Sequence, residues 1–273
     1  PAAAADVLTT NGRGMRSASP GRAVWWDDRA VLRVQNIYGH GFDAAQVARL
    51  EGFGLAFRAE ASTYAGAQLC RFIDFPVGPS LELIEVTDRS AYEAFVPAGM
   101  TPYAPGISLV AADGSPATLD AYETGLSDFE PYRLHVPYST ELGPDAPGWH
   151  YLNFGVPLVR DTFVWLTAYD EPRPAPVAKP RRPGGFEGVV GLVFELGADD
   201  LRPLSALVGT APAGDELDVG GVRFIAAGSA SASDRFPLRT VVLRTDRAEL
   251  VAEERPLIAT NGLCWDLLAT AQS

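Results

Sequence analysis

Three histidines and one strand-borne glutamate are, by type, the residues of this chain suited to proton or metal chemistry. His135 and His150 fall in consecutive strand-like runs, 132–138 and 150–156, so they can become neighbours across a ladder and offer two imidazole nitrogens to one metal ion. Packing or hydrogen bonding is their alternative use. His40 sits between Gly39 and Gly41 after a β-like run, where it either reaches a cavity rim or stands as an exposed turn histidine. Glu82 lies within Leu81-Glu82-Leu83-Ile84-Glu85. A carboxylate there is either held by an arginine such as Arg33 or Arg71, or serves as a general base where a low-dielectric cavity raises its pKa.

Aromatic side chains surround these candidates in sequence. Trp25, Trp26, Tyr38, Tyr64, Tyr138, Trp149, Tyr151, Phe154, Trp165 and Tyr169 lie in or beside predicted strands, as a core or as the wall of a cup for a planar or hydrophobic molecule. Other chemistries lack their motifs. There is no Gly-x-Ser-x-Gly elbow, Walker loop, Cys-x-x-Cys or Gly-x-Gly-x-x-Gly, which argues against serine hydrolase, NTPase and nicotinamide-dependent function.

The elements that must position these residues recur three times. The first copy opens with a strand over 31–38, turns through Gly39-His40-Gly41 and enters a helix capped by Asp43, with Val47 and Leu50 on its apolar stripe. Strands follow over 55–61, 67–75 and 80–86. The second copy has a strand at 106–110, a helix from Pro116 through Tyr122, and strands at 132–138, 150–156 and 162–169. A segment with five prolines between 171 and 183 reads as a stiff linker. The third copy has strands at 189–196, 221–226, 239–243 and 263–268, a helix near Asp199 and an extra short helix within 246–256. An internal repeat of this kind speaks first to architecture.

Composition bounds the rest. The 273 residues suffice for one large domain or two to three small ones. A formal charge of -12 repels a phosphate backbone and argues against nucleic acid as a partner. Apolar runs are short of a transmembrane helix, so no membrane partner is expected. Cys70 and Cys264 each sit in an apolar strand pattern, as buried thiols do, and point to a reducing cytoplasm. The N-terminal Pro1-Ala2-Ala3-Ala4-Ala5 reads as no intact signal peptide, although a terminus left by cleavage looks similar.

A βαβββ unit repeated at this spacing, with Phe53-Gly54-Leu55 after the first helix and Leu81 to Glu85 as the last strand, resembles the vicinal oxygen chelate superfamily. That group includes glyoxalase I, extradiol dioxygenases, methylmalonyl-CoA epimerase, fosfomycin-resistance enzymes and bleomycin-binding proteins. The resemblance implies an α+β fold of repeated βαβββ modules forming cupped, mostly antiparallel half-barrel sheets with helices on the outer face. The implied division is an N-terminal extension (1–29), modules at 30–100 and 101–172, a proline-rich linker (173–185) and a third module-like unit at 186–273.

In such modules the first and last strands carry metal ligands. The matching positions are Gln35 and Glu82 in the first copy, Ser108 and Trp165 in the second, and Asp266 in the last strand of the third. The resemblance therefore implies a divalent ion (Zn, Fe, Mn, Ni or Mg) at Gln35 and Glu82, or else no cofactor at all; the strand spacing of His135 and His150, not the family pattern, offers either as a further ligand in a non-standard site. Glu82 is the implied catalytic residue. Tyr38, His40, Trp165, Tyr151 and Asp266 are the implied substrate contacts. The expected activity is that of a glyoxalase-like lyase, isomerase or ring-cleaving dioxygenase on a small oxygenated or aromatic metabolite. The alternative is a metal-free binding or drug-sequestering protein. Modules of this kind work in pairs: the first two are expected to pair within the chain, and the third either pairs with its equivalent in a second chain, as a homodimer, or is completed in a monomer by the N-terminal segment and an inserted element.

Overall fold

The computed structural model describes residues 32–58, 61–63, 66–96, 101–111, 113–136, 148–170, 183–228, 236–252, 256–258 and 265–271. The N-terminal extension with Trp25 and Trp26, most of the proline-rich segment, Tyr64, Tyr138 and Cys264 lie outside them.

Residues 32–95 form one βαβββ unit: β1 (Leu32–His40), α1 (Ala44–Gly52), β2 (Ala61–Thr63), β3 (Gln68–Ile73) and β4 (Ser80–Val86), followed by α2 (Arg89–Phe95). Asp43 caps α1 as its position suggested. Its Oδ1 accepts from the Gln46 backbone N–H at 2.8 Å, while Gln46 Oε1 accepts from the Asp43 N–H at 2.9 Å, a reciprocal capping box. Val47 and Leu50 are the buried face of this helix. Two expectations shift. The second strand is a three-residue piece at 61–63 rather than 55–61, and α2 was not foreseen.

The second unit repeats the order with β5 (Gly106–Ala111), α3 (Pro116–Gly125), β6 (Pro131–Val136), β7 (Trp149–Phe154) and β8 (Phe163–Tyr169). Pro116 occupies the first turn of α3, where its missing N–H costs nothing. The two units share one eight-stranded sheet, ordered β2-β3-β4-β1-β5-β8-β7-β6. Each last strand lies parallel to its own first strand, and the two first strands, β1 and β5, meet antiparallel at the centre. One face of this sheet is apolar: Ile37, Leu81, Leu83, Ile107, Leu109, Leu152 and Leu166 are fully buried. The other face is the cup.

The remaining strands form a second sheet. It comprises β9 (Phe186–Phe194), β10 (Glu216–Val219), β11 (Val222–Ala226), β12 (Leu238–Thr245) and β13 (Asp266–Ala271), ordered β10-β11-β9-β12-β13, with α4 (Arg202–Val208) and α5 (Ala248–Ala252) between strands. The strand parallel to β9 is therefore β11, and β13 lies parallel to β12 instead. Across both sheets antiparallel pairings predominate.

The two sheets share one apolar core. Trp265, fully buried, meets the Phe42 ring at 5.1 Å and donates its indole N–H to the Tyr38 carbonyl at 3.3 Å. Arg247 Nη1 donates to the Phe53 carbonyl at 2.7 Å, and the Val77 N–H donates to the Glu187 carbonyl at 3.2 Å. Gly188 makes that last approach feasible, because a Cβ there would stand 2.1 Å from the Val77 carbonyl oxygen.

Candidate functional site

The centre of the cup is built on an irregularity in β1. Pairing with β5 runs Val34↔Leu109 and then Asn36↔Ser108, so one extra residue enters β1 between Val34 and Asn36. Such a bulge shifts the alternation of side chains by one. Val34 and Ile37, three apart rather than two, both stay in the core at 4% and 0% exposure. Gln35 and Asn36 both leave it and enter the cup, each turned to a different half.

Asn36 serves the first unit. Its Nδ2 donates to Glu82 Oε2 at 2.8 Å. Glu82 is half-buried on β4, and burial raises its carboxyl pKa above the usual range, against the lowering effects of Cys70, Asn36 and the Arg58 charge. Cys70 lies on the neighbouring strand β3 and accepts from Gln68 Nε2 at 3.4 Å. Among the described residues two buried acceptor oxygens here, Asn36 Oδ1 and Gln68 Oε1, have no hydrogen-bond donor. The first unit thus offers a protonatable carboxyl beside an unmet amide acceptor, a surface suited to a ligand that carries hydroxyl or amine groups.

Gln35 serves the second unit. Its Nε2 donates to the Tyr169 hydroxyl, and its Oε1 accepts from Ser108 Oγ at 3.3 Å. The Ser108 proton being so engaged, Thr167 Oγ1 donates to Ser108 Oγ, at 2.7 Å. Burial raises the Tyr169 phenol pKa, so the group stays protonated and its O–H is a donor. Beside this chain of hydroxyls lies an aromatic wall. Trp165, 7% exposed, has Tyr38 at 5.5 Å, Tyr151 edge-on at 6.0 Å and Phe163 stacked at 5.0 Å between ring centroids. Gly106 seats the Tyr38 ring, since a Cβ at 106 would fall 2.1 Å from its Cε1.

Several sequence-predicted residues stand elsewhere. His135 and His150 are direct partners across β6 and β7, as the strand spacing suggested, and Ala168 is next in that row. Ala168 is a core residue, whereas the neighbouring row, Leu134, Tyr151 and Thr167, belongs to the cup. Strand alternation therefore places both histidines on the face away from Gln35 and Glu82, and the four do not converge. His40 is not an exposed turn residue: strand alternation puts it on the same face of β1 as Tyr38, enclosed by side chains. As the last residue of β1 it is 3% exposed and shares a hydrogen bond between its Nε2 and the Tyr92 hydroxyl, 2.8 Å away. Tyr38, Tyr92 and Tyr103 pack around its ring. Asp266 opens β13 opposite Thr240 in the five-stranded sheet. The equivalence to Glu82 fails because β13 pairs with β12 and not with a unit's first strand. Arg71 pairs with Glu85 at 2.9 Å, on the face that Leu83 shares, and leaves Glu82 to Asn36.

Asn36 and Thr167 are site residues that motif reasoning did not single out, and Tyr169 entered only among the strand-borne aromatics, not as a hydrogen-bonding group. One signal was present: two consecutive polar residues, Gln35-Asn36, between buried Val34 and Ile37 are what a bulge leaves in an otherwise alternating strand.

The family-matched positions in the cup do not supply a complete ligand set for a divalent metal. Gln35 Oε1 is taken by Ser108, Glu82 turns to Asn36, and at Trp165 the second unit presents an indole, which can only donate. Among the described residues, the one group of three metal-ligating side chains of histidine, cysteine, aspartate or glutamate type is His135, His150 and Asp170, on the opposite face.

No protein-family model and no curated protein sequence matches this chain. Among solved structures it is similar to an extradiol ring-cleaving dioxygenase from B. fuscum, at 10% identity and a TM-score of 0.46 over 88% of this chain and 72% of that one. It is also similar to methylmalonyl-CoA epimerase from Mycobacterium tuberculosis, at 14% identity and a TM-score of 0.33 over 55% of this chain and 92% of that one. For the Streptomyces coelicolor epimerase with 2-nitronate-propionyl-CoA the figures are 15%, 0.32, 51% and 97%. What this chain does has to be read from its own residues.

Proposed function

We propose that the cup binds a small oxygenated or aromatic molecule and that Glu82 moves a proton on it without a metal ion, the chemistry of an isomerase or lyase. The observation that carries this reading is the half-buried Glu82 carboxyl, held by Asn36 and raised in pKa by its surroundings, on the same concave face as a protonated Tyr169 hydroxyl. As a carboxylate, Glu82 accepts a proton from carbon next to a carbonyl; its raised pKa brings it nearer to that task. Tyr169 accepts from Gln35 and so keeps its own proton for the oxygen on which negative charge develops. Trp165, Tyr38, Tyr151 and Phe163 supply an apolar wall against which a planar ligand packs and from which water is excluded.

A direct test is proton–deuterium exchange in D2O, followed by NMR, over a panel of small aliphatic and aryl carbonyl compounds with chelator present. The wild-type chain is expected to exchange the carbon-bound proton of at least one of them. Glu82→Gln should slow that exchange by about 10²–10⁴-fold, the usual worth of a positioned base. Equal rates in the two proteins would contradict the assignment.

Binding without turnover is the second reading, and Trp165 favours it. A bulky indole fills the place where the second unit would otherwise present a polar group. Saturable quenching of tryptophan fluorescence by a ligand that shows no exchange would select this reading.

A further inference from the structure

We propose that His135, His150 and Asp170 form a binding site for a borderline divalent transition-metal ion on the face of the eight-stranded sheet opposite the cup. The site is independent of the proton chemistry assigned to Glu82. Its geometry follows from the ladder: His135 and His150 are paired residues on β6 and β7, so their side chains rise together from one face. The rings stack at 4.3 Å between centroids with 11° between planes. Both Nε2 atoms turn to one carboxylate: His135 donates to Asp170 Oδ2 at 3.0 Å and His150 to Oδ1 at 2.8 Å. Asp170 follows directly on β8 and is held by its own N–H, which donates to the Gly148 carbonyl at 2.9 Å.

The three donor atoms lie within 4.8 Å of one another. Ligands about 2.1 Å from one tetrahedral ion stand roughly 3.4 Å apart, so small rotations of two side chains complete the set. Two imidazoles and one carboxylate suit Zn, Co, Ni or Cu and are a poor match for Mg or Ca, which favour all-oxygen shells. His135 is exposed, so an ion reaches the site from solvent. Three protein ligands leave a coordination position open to water or to an added ligand. A bound ion would also clamp the edge strand β6 to β7 and to the end of β8, closing the outer margin of the second unit.

The test is calorimetric titration of the chelator-treated full chain with Zn²⁺ and, separately, Mg²⁺, with Co²⁺ absorption as an independent reading of ligand geometry. One equivalent of Zn²⁺ is expected and no Mg²⁺ uptake at the same concentrations. His135→Ala and Asp170→Asn should each weaken Zn²⁺ binding by on the order of tenfold or more, since even partners one bond removed from a ligand are worth that much. Glu82→Gln should leave it unchanged. His135 is exposed, so its removal is expected to leave circular dichroism as in the wild type, and the Co²⁺ spectrum reports loss of an imidazole ligand directly. Absence of Zn²⁺ uptake overturns the proposal. So does uptake that survives both substitutions, or uptake that Glu82→Gln abolishes.

Discussion

At the scale of single residues, burial decides which groups titrate where. His40 is enclosed by Tyr38, Tyr92 and Tyr103, and burial lowers its pKa from 6.5 to about 4 against the opposing pull of the Tyr103 and Ala104 backbone. The unfolded chain, with an ordinary imidazole, takes up the proton first as pH falls. Stability contributed by the neutral folded form is therefore present above pH 6.5 and is lost between 6.5 and about 4. In all the loss is on the order of 3 kcal/mol. Urea denaturation across this range should show that decline in the wild-type chain and a flatter profile in His40→Gln, which keeps a hydrogen-bonding partner for Tyr92 but does not titrate. Parallel profiles would mean that His40 is not buried neutral. Sequence pointed to His40 as a residue of interest but not to its enclosure, because α2, which brings Tyr92 over it, left no strong apolar period to read.

At the scale of elements, the first two units were largely legible: β1, β4, β5 and β8 lie where alternation and turn residues put them, and Asp43 begins α1. The bulge at Gln35 was not. A strict alternation places Gln35 and Asn36 on opposite faces, and only the extra residue brings both into the cup, one to each half. The same central strands rely on Gly106 to seat Tyr38 against Trp165. Gly106→Ala forces that ring to move, and is expected to cost about 1–3 kcal/mol, as overpacking generally does. Tryptophan emission and near-ultraviolet circular dichroism should change with it. An unchanged melting curve and spectrum would show that the ring has room to yield. His135 and His150 illustrate the limit of spacing arguments. Consecutive strands made them neighbours, as expected, yet which face they share depends on the register of the whole sheet.

For the molecule as a whole, one eight-stranded sheet carries the cup, and a second sheet backs the first unit through Trp265, Arg247 and the Val77–Gly188 approach. The repeat in the sequence foretold the first sheet well. It foretold the second poorly, because β10 is only four residues long and β12 pairs antiparallel with β9, so that the final strand answers to a different neighbour. The raised pKa of Glu82 is a property of this assembly, since burial is its leading cause. The folded chain holds that proton at a pH where the unfolded chain has released it. Stability accordingly falls as pH rises from 4.5 through the folded-state pKa, a fall that Glu82→Gln removes. The most direct measurement is the pH titration of the glutamate side-chain carboxyls by 13C NMR, with Glu82→Gln identifying the resonance. The expected result is a Glu82 midpoint above those of the exposed glutamates, returning to the ordinary value in urea. A Glu82 midpoint that coincides with theirs in the folded chain would contradict a proton-transfer role for the cup.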